Sequence, residues 1–277
     1  MNLPIIDKAN TVNFTRLRQQ FEDTFDKWVD TINTRPLFPV LTQPKANAKL
    51  AKESDRTAHY RIYSLFLAPA DSSGHEMCLW RSNDCTDICL NCAGKGALAS
   101  VRDARIRKTQ RLVETPHDFF WSLLCEMHKA SKDRSTTPVM RLNGTSDLPW
   151  DYIAPELFNY FDAAGWRFYD YTKSYSRAYY HSAVWDQTLS FSGHNWDDCA
   201  KLLSDCRGRV AVVFDVPKGQ PLPTHWRGYA VIDGDKDDLR FLDPRGVIVG
   251  LRYKTVTING RRMKASDFNS PFIVTAI

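Results

Sequence analysis

The sequence lacks any hydrophobic run long enough to cross a membrane. No apolar stretch in its 277 residues approaches the roughly 20 residues that a membrane-spanning helix requires. The first residues, MNLPIIDKANTVNF, also lack the basic region and apolar core of a secretory signal. We therefore expect a cytoplasmic protein without a membrane partner.

Neither sign of charge dominates the chain. There are 37 Lys and Arg against 32 Asp and Glu, which gives a net charge of +5. This balance permits nucleic-acid contact but does not predict it. A hydrophobic content of 43% and a charged content of 25% are typical of a soluble globular protein with a real core.

What the chain does have is a concentrated group of cysteines. Four of its seven cysteines fall within a short polar stretch: Cys78, Cys85, Cys89 and Cys92. Without a secretory signal, such cysteines are typical of cytosolic thiols or ligands. A polar loop gives buried thiols little packing value, so the stretch predicts a metal or cluster site.

The spacing of these cysteines is compatible with two alternative kinds of site, an iron–sulfur cluster or a zinc ion. Cys85, Cys89 and Cys92 read C-x3-C-x2-C, the spacing by which radical-SAM enzymes hold three irons of a [4Fe–4S] cluster. Those enzymes usually carry an aromatic residue before the third cysteine, where this chain has Asn91. The alternative is a structural zinc on four cysteines. Such sites usually show paired C-x2-C knuckles, and only Cys89 with Cys92 forms one.

The N-terminal residues predict an appendage to the main domain. Apolar residues recur at helical spacing at Phe14, Leu17, Phe21, Phe25, Trp28 and Ile32, which predicts an amphipathic helix docked on the parent domain. Residues 35–44 contain three prolines and predict a linker or a strapped-down extended segment. We expect the helix and linker to occupy residues 1–45, and a single α/β domain to occupy residues 46–277.

Strand and helix patterns alternate through the rest of the chain. This order predicts an α/β fold with a mainly parallel sheet and outer helices, specifically an incomplete (β/α) barrel of radical-SAM type. Residues 229–251 predict a hairpin-like C-terminal β addition, and the acidic run within them predicts a solvated turn.

Polar residues follow the predicted strands, where parallel-sheet proteins place their chemistry. The candidate cofactor-binding residues are Asn143, Gly144, Thr145, Asp147, Asp170, Lys173 and Ser190. Each of them could instead cap a turn or helix. The helix after the cysteines carries Arg102, Arg105, Arg107, Lys108 and Arg111, which predict either a solvated face or an anion-binding face.

Several segments together resemble the phage "gene product 88" domain family. They run in order from about Ala46 as NAKL, LAP followed by SG, C-x6-C-x3-CL, AGKG, ARIRKT, RLNGTSDL, YDYTK, VAVVF, IDGD and FLDPRGVIVGL. The resemblance implies a phage origin and hence the host cytoplasm, but no established activity. It also implies that the shared cysteines are Cys78, Cys85 and Cys89, with Cys92 outside the family pattern.

Two functions follow as expectations. The first is a radical-SAM-like enzyme, with a [4Fe–4S] cluster on three cysteines, S-adenosyl-L-methionine (SAM) on the open iron, and an unknown substrate such as a nucleotide or nucleic acid. The second is a non-enzymatic protein, stabilised by zinc or an iron–sulfur cluster, that binds nucleic acid or a host protein.

Overall fold

The chain folds into two compact units. The computed structural model describes residues 11–31, 35–44, 59–180 and 182–275. Unit 1 comprises Met1–Leu79 with Asp103–Phe168, and unit 2 comprises Trp80–Arg102 with Tyr169–Ile277. The predicted domain boundary between residues 45 and 46 lies outside the described residues.

Unit 1 combines a short parallel sheet with several helices. Its strands are β1 (Tyr60–Ser64), β2 (Thr137–Arg141) and the first two residues of β3 (Arg167–Thr172). β1 pairs in parallel with β2, and β2 in parallel with β3. The helices are α1 (Phe14–Val29), most of α3 (Ala99–Glu114), α4 (Pro116–Ser131), α5 (Trp150–Ile153) and α6 (Pro155–Ala163).

The predicted N-terminal helix is confirmed as α1, and it is docked on unit 1. Asn13 caps it by accepting a hydrogen bond from the backbone N–H of Arg16 at 2.8 Å. The apolar stripe packs against α4 and α5. Phe21 and Trp28 are fully buried, and each such burial contributes about 2–3 kcal/mol. Ile32, the last residue of the predicted stripe, lies outside the described residues.

The proline-rich segment 35–44 is an extended strap, as predicted. Glu126 of α4 holds it, because one carboxylate oxygen accepts the backbone N–H groups of Val40 at 3.1 Å and Leu41 at 2.7 Å. Thr42 then pairs antiparallel with Ser64 at the end of β1. Backbone groups that no regular element could satisfy thus find partners in a side chain and a strand end.

Unit 2 contains the larger part of the sheet. Its strands are the rest of β3, β4 (Trp185–Ser190), β5 (Val210–Phe214), β6 (His225–Trp226), β7 (Tyr229–Asp233), β8 (Ile248–Arg252) and β11 (Ile273–Val274). β9 (Val256–Ile258) and β10 (Arg261–Met263) form a separate hairpin. Its helices are α2 (Asn83–Asp87), α7 (Tyr175–Tyr179) and α8 (Trp196–Ser204).

The strand order in unit 2 is β3-β4-β5-β8-β7-β6, and β11 also pairs with β5. Ala178 of α7 and Leu202 of α8 share one buried cluster with Leu189 and Val210, so both helices cover the same face of the sheet. Neighbouring strands that follow chain order, with helices on one face, are typical of the winding found in barrels. The prediction of a mainly parallel α/β fold is confirmed. Among the described residues the sheet is open, and it does not close into a barrel.

The C-terminal addition differs from the prediction of a hairpin. β7 and β8 are parallel to each other, and β8 lies parallel beside β5 in the main sheet. The Asp-Gly and Asp-Pro sequences at residues 233–234 and 243–244 therefore belong to a long crossover instead of tight hairpin turns. A parallel pair needs such a connection because its strands run in the same direction.

The acidic run in this crossover is ion-paired and partly buried, so the predicted solvated turn is wrong. Asp233 and Asp235 pair with Arg252 at 2.8 and 3.1 Å. Asp238, which is 2% exposed, accepts the hydroxyls of Tyr169 at 3.3 Å and Tyr171 at 2.8 Å. These contacts come from distant strands, which the local charge pattern does not reveal.

Two polar residues at helix starts do not cap those helices with their side chains. The Thr115 hydroxyl donates back to the carbonyl of Arg111 at 3.3 Å instead of capping α4. The Asn195 amide bonds the Ser192 N–H and the Ser190 carbonyl, at 2.8 and 3.2 Å, instead of capping α8. Cys199 is buried in the core, whereas Cys206 lies beyond the end of α8 and is exposed.

Candidate metal and cofactor site

The loop of unit 2 that carries Cys85, Cys89 and Cys92, here called the cysteine loop, lies at the carboxyl edge of the strands of unit 2. Ala93 pairs antiparallel with Val256, just beyond the end of β8. Asp84 of α2 contacts His194, which follows the end of β4, with Oδ2 and Nε2 2.9 Å apart. Parallel strands place their carboxyl ends at one edge, so the loop occupies the edge at which the sequence predicts chemistry.

Three of the four candidate metal ligands come together in this loop. Cys85, Cys89 and Cys92 are free and half-buried. Burial raises the pKa of the Cys89 thiol, the backbone N–H of Asn91 lowers it by hydrogen bonding, and the nearby Cys85 and Cys92 raise it further. The thiols therefore lie within electrostatic reach of one another. An N–H group pointing at a cysteine sulfur is also a common feature of metal–thiolate sites.

Lys173 is a cation that acts electrostatically on one of these thiols, that of Cys89. It is the first residue after β3, and its ammonium opposes the rise in the pKa of Cys89. The ammonium also lies 5.4 Å from the centre of the Phe272 ring. The structure thus places one predicted cofactor-binding residue within electrostatic reach of the predicted metal ligand Cys89.

Local backbone geometry shapes the loop. Ser82 caps α2 by accepting the N–H of Cys85 at 3.2 Å, and the N–H of Cys92 donates to the carbonyl of Cys89 at 2.9 Å. A Cβ atom on Gly96 would lie 2.9 Å from the carbonyl oxygens of Leu90 and Asn91. Gly96 therefore lets the loop fold back on itself, which brings the C-x2-C pair into a tight turn.

Two contacts that hold the loop in place could not be predicted from the sequence. Asp84 accepts hydrogen bonds from Ser270 and His194, and these partners hold the pKa of its carboxyl below the usual range. They fix α2, and with it Cys85, to residues that follow β4 and precede β11. No sequence pattern connects Asp84 with residues more than a hundred positions away, so only the fold identifies them.

In the part of the chain that the structure describes, no three His, Cys, Asp or Glu side chains are already arranged around a metal position. The donor chemistry of the loop nevertheless fits a thiophilic metal or a cluster, since three thiols, an N–H donor to sulfur and a nearby cation meet there. The metal assignment of Cys78, Cys85, Cys89 and Cys92 stays a prediction.

Of the remaining candidates in unit 2, Ser190 lies at the end of β4, whereas Asp170 lies inside β3. Asp170 is fully buried, and its carboxylate accepts a hydrogen bond from the Trp185 indole at 3.1 Å. Because side chains alternate along a strand, Asp170 points to the face opposite Tyr169 and Tyr171. Ser190 ends β4 on the face opposite Leu189, and it is half-buried.

The candidates in unit 1 form a compact turn after β2. The side-chain oxygen of Asn143 accepts hydrogen bonds from Ser146, Leu148 and Trp150, and its amide donates to the carbonyl of Leu148 at 3.0 Å. All of these contacts are buried. The structure therefore assigns the Asn143 side chain to holding the turn.

Gly144 and Thr145 continue this turn. A Cβ on Gly144 would lie 2.7 Å from the carbonyl oxygen of Leu65, so glycine is required for the close approach of two backbones. The Thr145 hydroxyl donates to the carbonyl of Leu67 at 2.5 Å. Both residues support the packing of the turn on the segment after β1.

Cys78 and Asp147 lie side by side in unit 1. They form a parallel bridge, and the Asp147 N–H donates to the carbonyl of Met77 at 2.8 Å. The Cys78 sulfur accepts the N–H of Ala70 at 3.3 Å. Of the two alternatives for the third ligand, Cys92 belongs to the same unit as Cys85 and Cys89, whereas Cys78 belongs to the other.

The basic helix α3 uses several of its charges for packing within unit 1. The Arg105 guanidinium lies 5.3 Å from the centre of the Phe66 ring, and that of Arg111 lies 3.9 Å from the Phe38 ring. Burial lowers the pKa of Lys108 to about 8, partly offset by Glu126. These three cations contact the strap and the core, whereas Arg102 and Arg107 are exposed.

Together, the fold and the loop define a parallel-sheet α/β protein with a cysteine loop at the carboxyl edge of its strands. The chain belongs to the Gene product 88 family, whose model matches residues 39–268. This match includes most of the strap and of both units, but not α1 or β11. It confirms the resemblance to the phage family. No curated protein and no solved structure matches the chain. None of the described helices is long and apolar enough to cross a membrane.

Proposed function

We propose that the chain is an iron–sulfur enzyme of radical-SAM type, in which Cys85, Cys89 and Cys92 hold a [4Fe–4S] cluster. The observation that carries this proposal is the presence of these three thiols in one loop at the carboxyl edge, with Lys173 within electrostatic reach of Cys89. Three protein ligands leave one iron open for an external ligand, which is what SAM requires.

The winding of the sheet supports the same class of enzyme. In each unit, neighbouring strands follow chain order through β5, and in unit 2 two helices cover one face. An incomplete (β/α) barrel is wound in this way, and its chemistry lies at the carboxyl ends of the strands. The cysteine loop follows β1 in the chain, which is also the position that the radical-SAM arrangement gives to its cluster loop.

The chain's own residues have distinct tasks in this proposal. Asn91 donates its N–H to the Cys89 thiolate and stabilises it as a ligand. The Lys173 ammonium offsets the negative charge that three thiolates bring into a half-buried loop. Asp84, held by Ser270 and His194, keeps α2 and Cys85 in place. A bound cluster would supply the electron for reductive cleavage of SAM.

SAM and the substrate would bind beside the cluster at the same edge of unit 2. Lys173 and Ser190 follow neighbouring strands there, and they can meet the carboxylate and hydroxyl groups of SAM or of a substrate. Asn143, Gly144, Thr145 and Asp170 are engaged in packing. We therefore propose Lys173 and Ser190 as the SAM-binding residues in preference to the four residues that are engaged in packing. Asp147 stays a candidate through its position beside Cys78.

A zinc site is the second candidate, and it has one supporting observation. Cys89 and Cys92 form a C-x2-C turn in which the Cys92 N–H donates to the Cys89 carbonyl, which resembles one half of a zinc knuckle. A four-cysteine zinc site requires a fourth thiolate, for which Cys78 is the candidate. Zinc would make the loop a structural element.

The activity can be tested directly with anaerobically purified protein. After reduction, the wild-type chain should convert SAM slowly to 5′-deoxyadenosine even without substrate, and Lys173→Met should weaken SAM binding while the cluster absorbance remains. Lys95→Met removes the same charge from an exposed site in the same loop, and we expect it to behave like wild type. A cluster-replete protein that neither binds nor cleaves SAM would contradict the enzyme proposal.

A further inference from the structure

A strongly basic hairpin lies beside the cysteine loop in unit 2. Residues 254–264, KTVTINGRRMK, carry four cations and no acid. They form the antiparallel pair β9 and β10. Asn259 and Gly260 connect the strands with φ angles of +49° and +78°, as the two central residues of a type I′ turn require.

The hairpin is attached to the carboxyl edge of unit 2. Val256 of β9 pairs with Ala93 of the cysteine loop, and the Tyr253 hydroxyl donates to the carbonyl of Met263 at 2.9 Å. Val256 is fully buried, so this contact fixes the base of the hairpin. The exposed Lys95 follows Ala93 by two residues and adds a fifth cation to the same neighbourhood.

Three of these cations, Arg261, Arg262 and Lys264, are poor in acidic partners. Arg262 and Lys264 form no ion pair with any residue that the structure describes. Arg261 is 74% exposed, and its nearest carboxylate is that of Asp267 at 3.8 Å. By contrast, Lys201 is closely paired with Asp205 at 3.0 Å. The hairpin surface therefore retains an excess of positive charge.

We propose that the β9–β10 hairpin is a DNA-binding ribbon that contacts the phosphates of duplex DNA. A two-stranded ribbon fits the major groove of B-form DNA, and cations on its strands can reach the phosphates on both sides. The narrow major groove of A-form RNA does not admit such a ribbon. This binding surface does not depend on which metal the cysteines hold.

The expected affinity has a clear electrostatic signature. Phosphate contacts by Arg261, Arg262 and Lys264 release counterions from the duplex, so the logarithm of the binding constant should fall with the logarithm of salt concentration with a slope of about −3. Removing two of these cations should make the slope less steep by about 2 and weaken binding by about tenfold or more at 0.1 M salt.

The test is fluorescence anisotropy of the full chain with a labelled duplex of about 30 base pairs, over a salt series. The double variant Arg261→Gln/Arg262→Gln should show the weaker binding and the shallower slope. The matched control is Arg102→Gln/Arg107→Gln, which removes two exposed charges from α3 and should bind like wild type. Lys264→Gln should reduce the slope by about 1, and it provides a milder change if the double variant folds poorly.

Three outcomes would overturn the proposal. One is loss of binding in the α3 control but not in the hairpin variants. Another is binding to single-stranded DNA or duplex RNA that is as tight as binding to duplex DNA. The third is wild-type binding that is absent or insensitive to salt. None of these outcomes bears on the iron–sulfur proposal, because the metal content of each variant is measured separately.

Discussion

Lys173, the residue that follows β3, lies close enough to Cys89 for its ammonium to lower the pKa of that thiol against the larger effect of burial. This contact joins a strand end to a loop some eighty positions earlier in the chain. It places a positive charge within electrostatic reach of one half-buried sulfur of the cysteine trio.

The first prediction concerns the redox potential of the proposed cluster. Lys173→Met removes the nearby positive charge, which favours the more negative, reduced form of the cluster. The midpoint potential should therefore become more negative, and a redox titration followed by electron paramagnetic resonance will measure it. The control is Lys95→Met. Equal potentials in wild type and Lys173→Met would show that Lys173 does not act on the cluster.

The second prediction concerns Asn143. Asn143→Ala removes the acceptor of the buried Leu148 N–H and of the Trp150 indole N–H, and each unsatisfied donor costs about 1–3 kcal/mol. We expect a loss of about 3 kcal/mol in the free energy of unfolding, measured by urea denaturation. Ser146→Ala removes a single donor from the same oxygen and should cost about 1 kcal/mol. If Asn143→Ala retains wild-type stability but weakens SAM binding, Asn143 is a ligand residue.

The third prediction concerns Lys108 and pH. Its pKa is lowered to about 8 by burial, so the folded protein releases this proton at lower pH than the unfolded chain does. The contribution of Lys108 to the free energy of unfolding should therefore rise between about pH 8 and pH 10.5, by at most about 3 kcal/mol. As the pH rises through this range, wild type should therefore gain stability relative to Lys108→Met. A difference that is constant with pH would contradict the buried position of Lys108.

The fourth prediction concerns the strap. Glu126→Ala deprives the N–H groups of Val40 and Leu41 of their acceptor, so the strap should detach more often. Limited proteolysis with chymotrypsin should then cleave faster after Leu37. Glu126→Gln retains an acceptor oxygen and should be cleaved at close to the wild-type rate. Equal rates in all three proteins would mean that Glu126 does not hold the strap.

Much of the architecture could be predicted because its signals are local. The stripe that includes Phe14, Phe21 and Trp28 has the period of a helix, and the prolines of residues 35–44 exclude regular structure. The apolar run of β5 likewise predicts a buried parallel strand. Each of these features depends on neighbours within a few residues in the chain.

The errors occurred where partners are distant. β8 inserts beside β5 because of the sheet order, which the turn sequences around it do not encode. The carboxylates of Asp233 and Asp235 are neutralised by Arg252, which belongs to another strand. The same limit applies to the site. Cysteine spacing predicts the trio, but not the anchoring of Asp84 by His194 and Ser270, nor the face of β3 that Asp170 occupies.

The most direct test of the proposed function is the metal content of the anaerobically purified chain and its cysteine variants. Wild type should contain about four iron and four sulfide per chain. Alanine at Cys85, Cys89 or Cys92 should abolish the cluster, whereas Cys78→Ala should retain it. Loss of the cluster in Cys78→Ala but not in Cys92→Ala would show that the third ligand is Cys78 and not Cys92. Stoichiometric zinc without iron in the wild-type chain would contradict the iron–sulfur proposal.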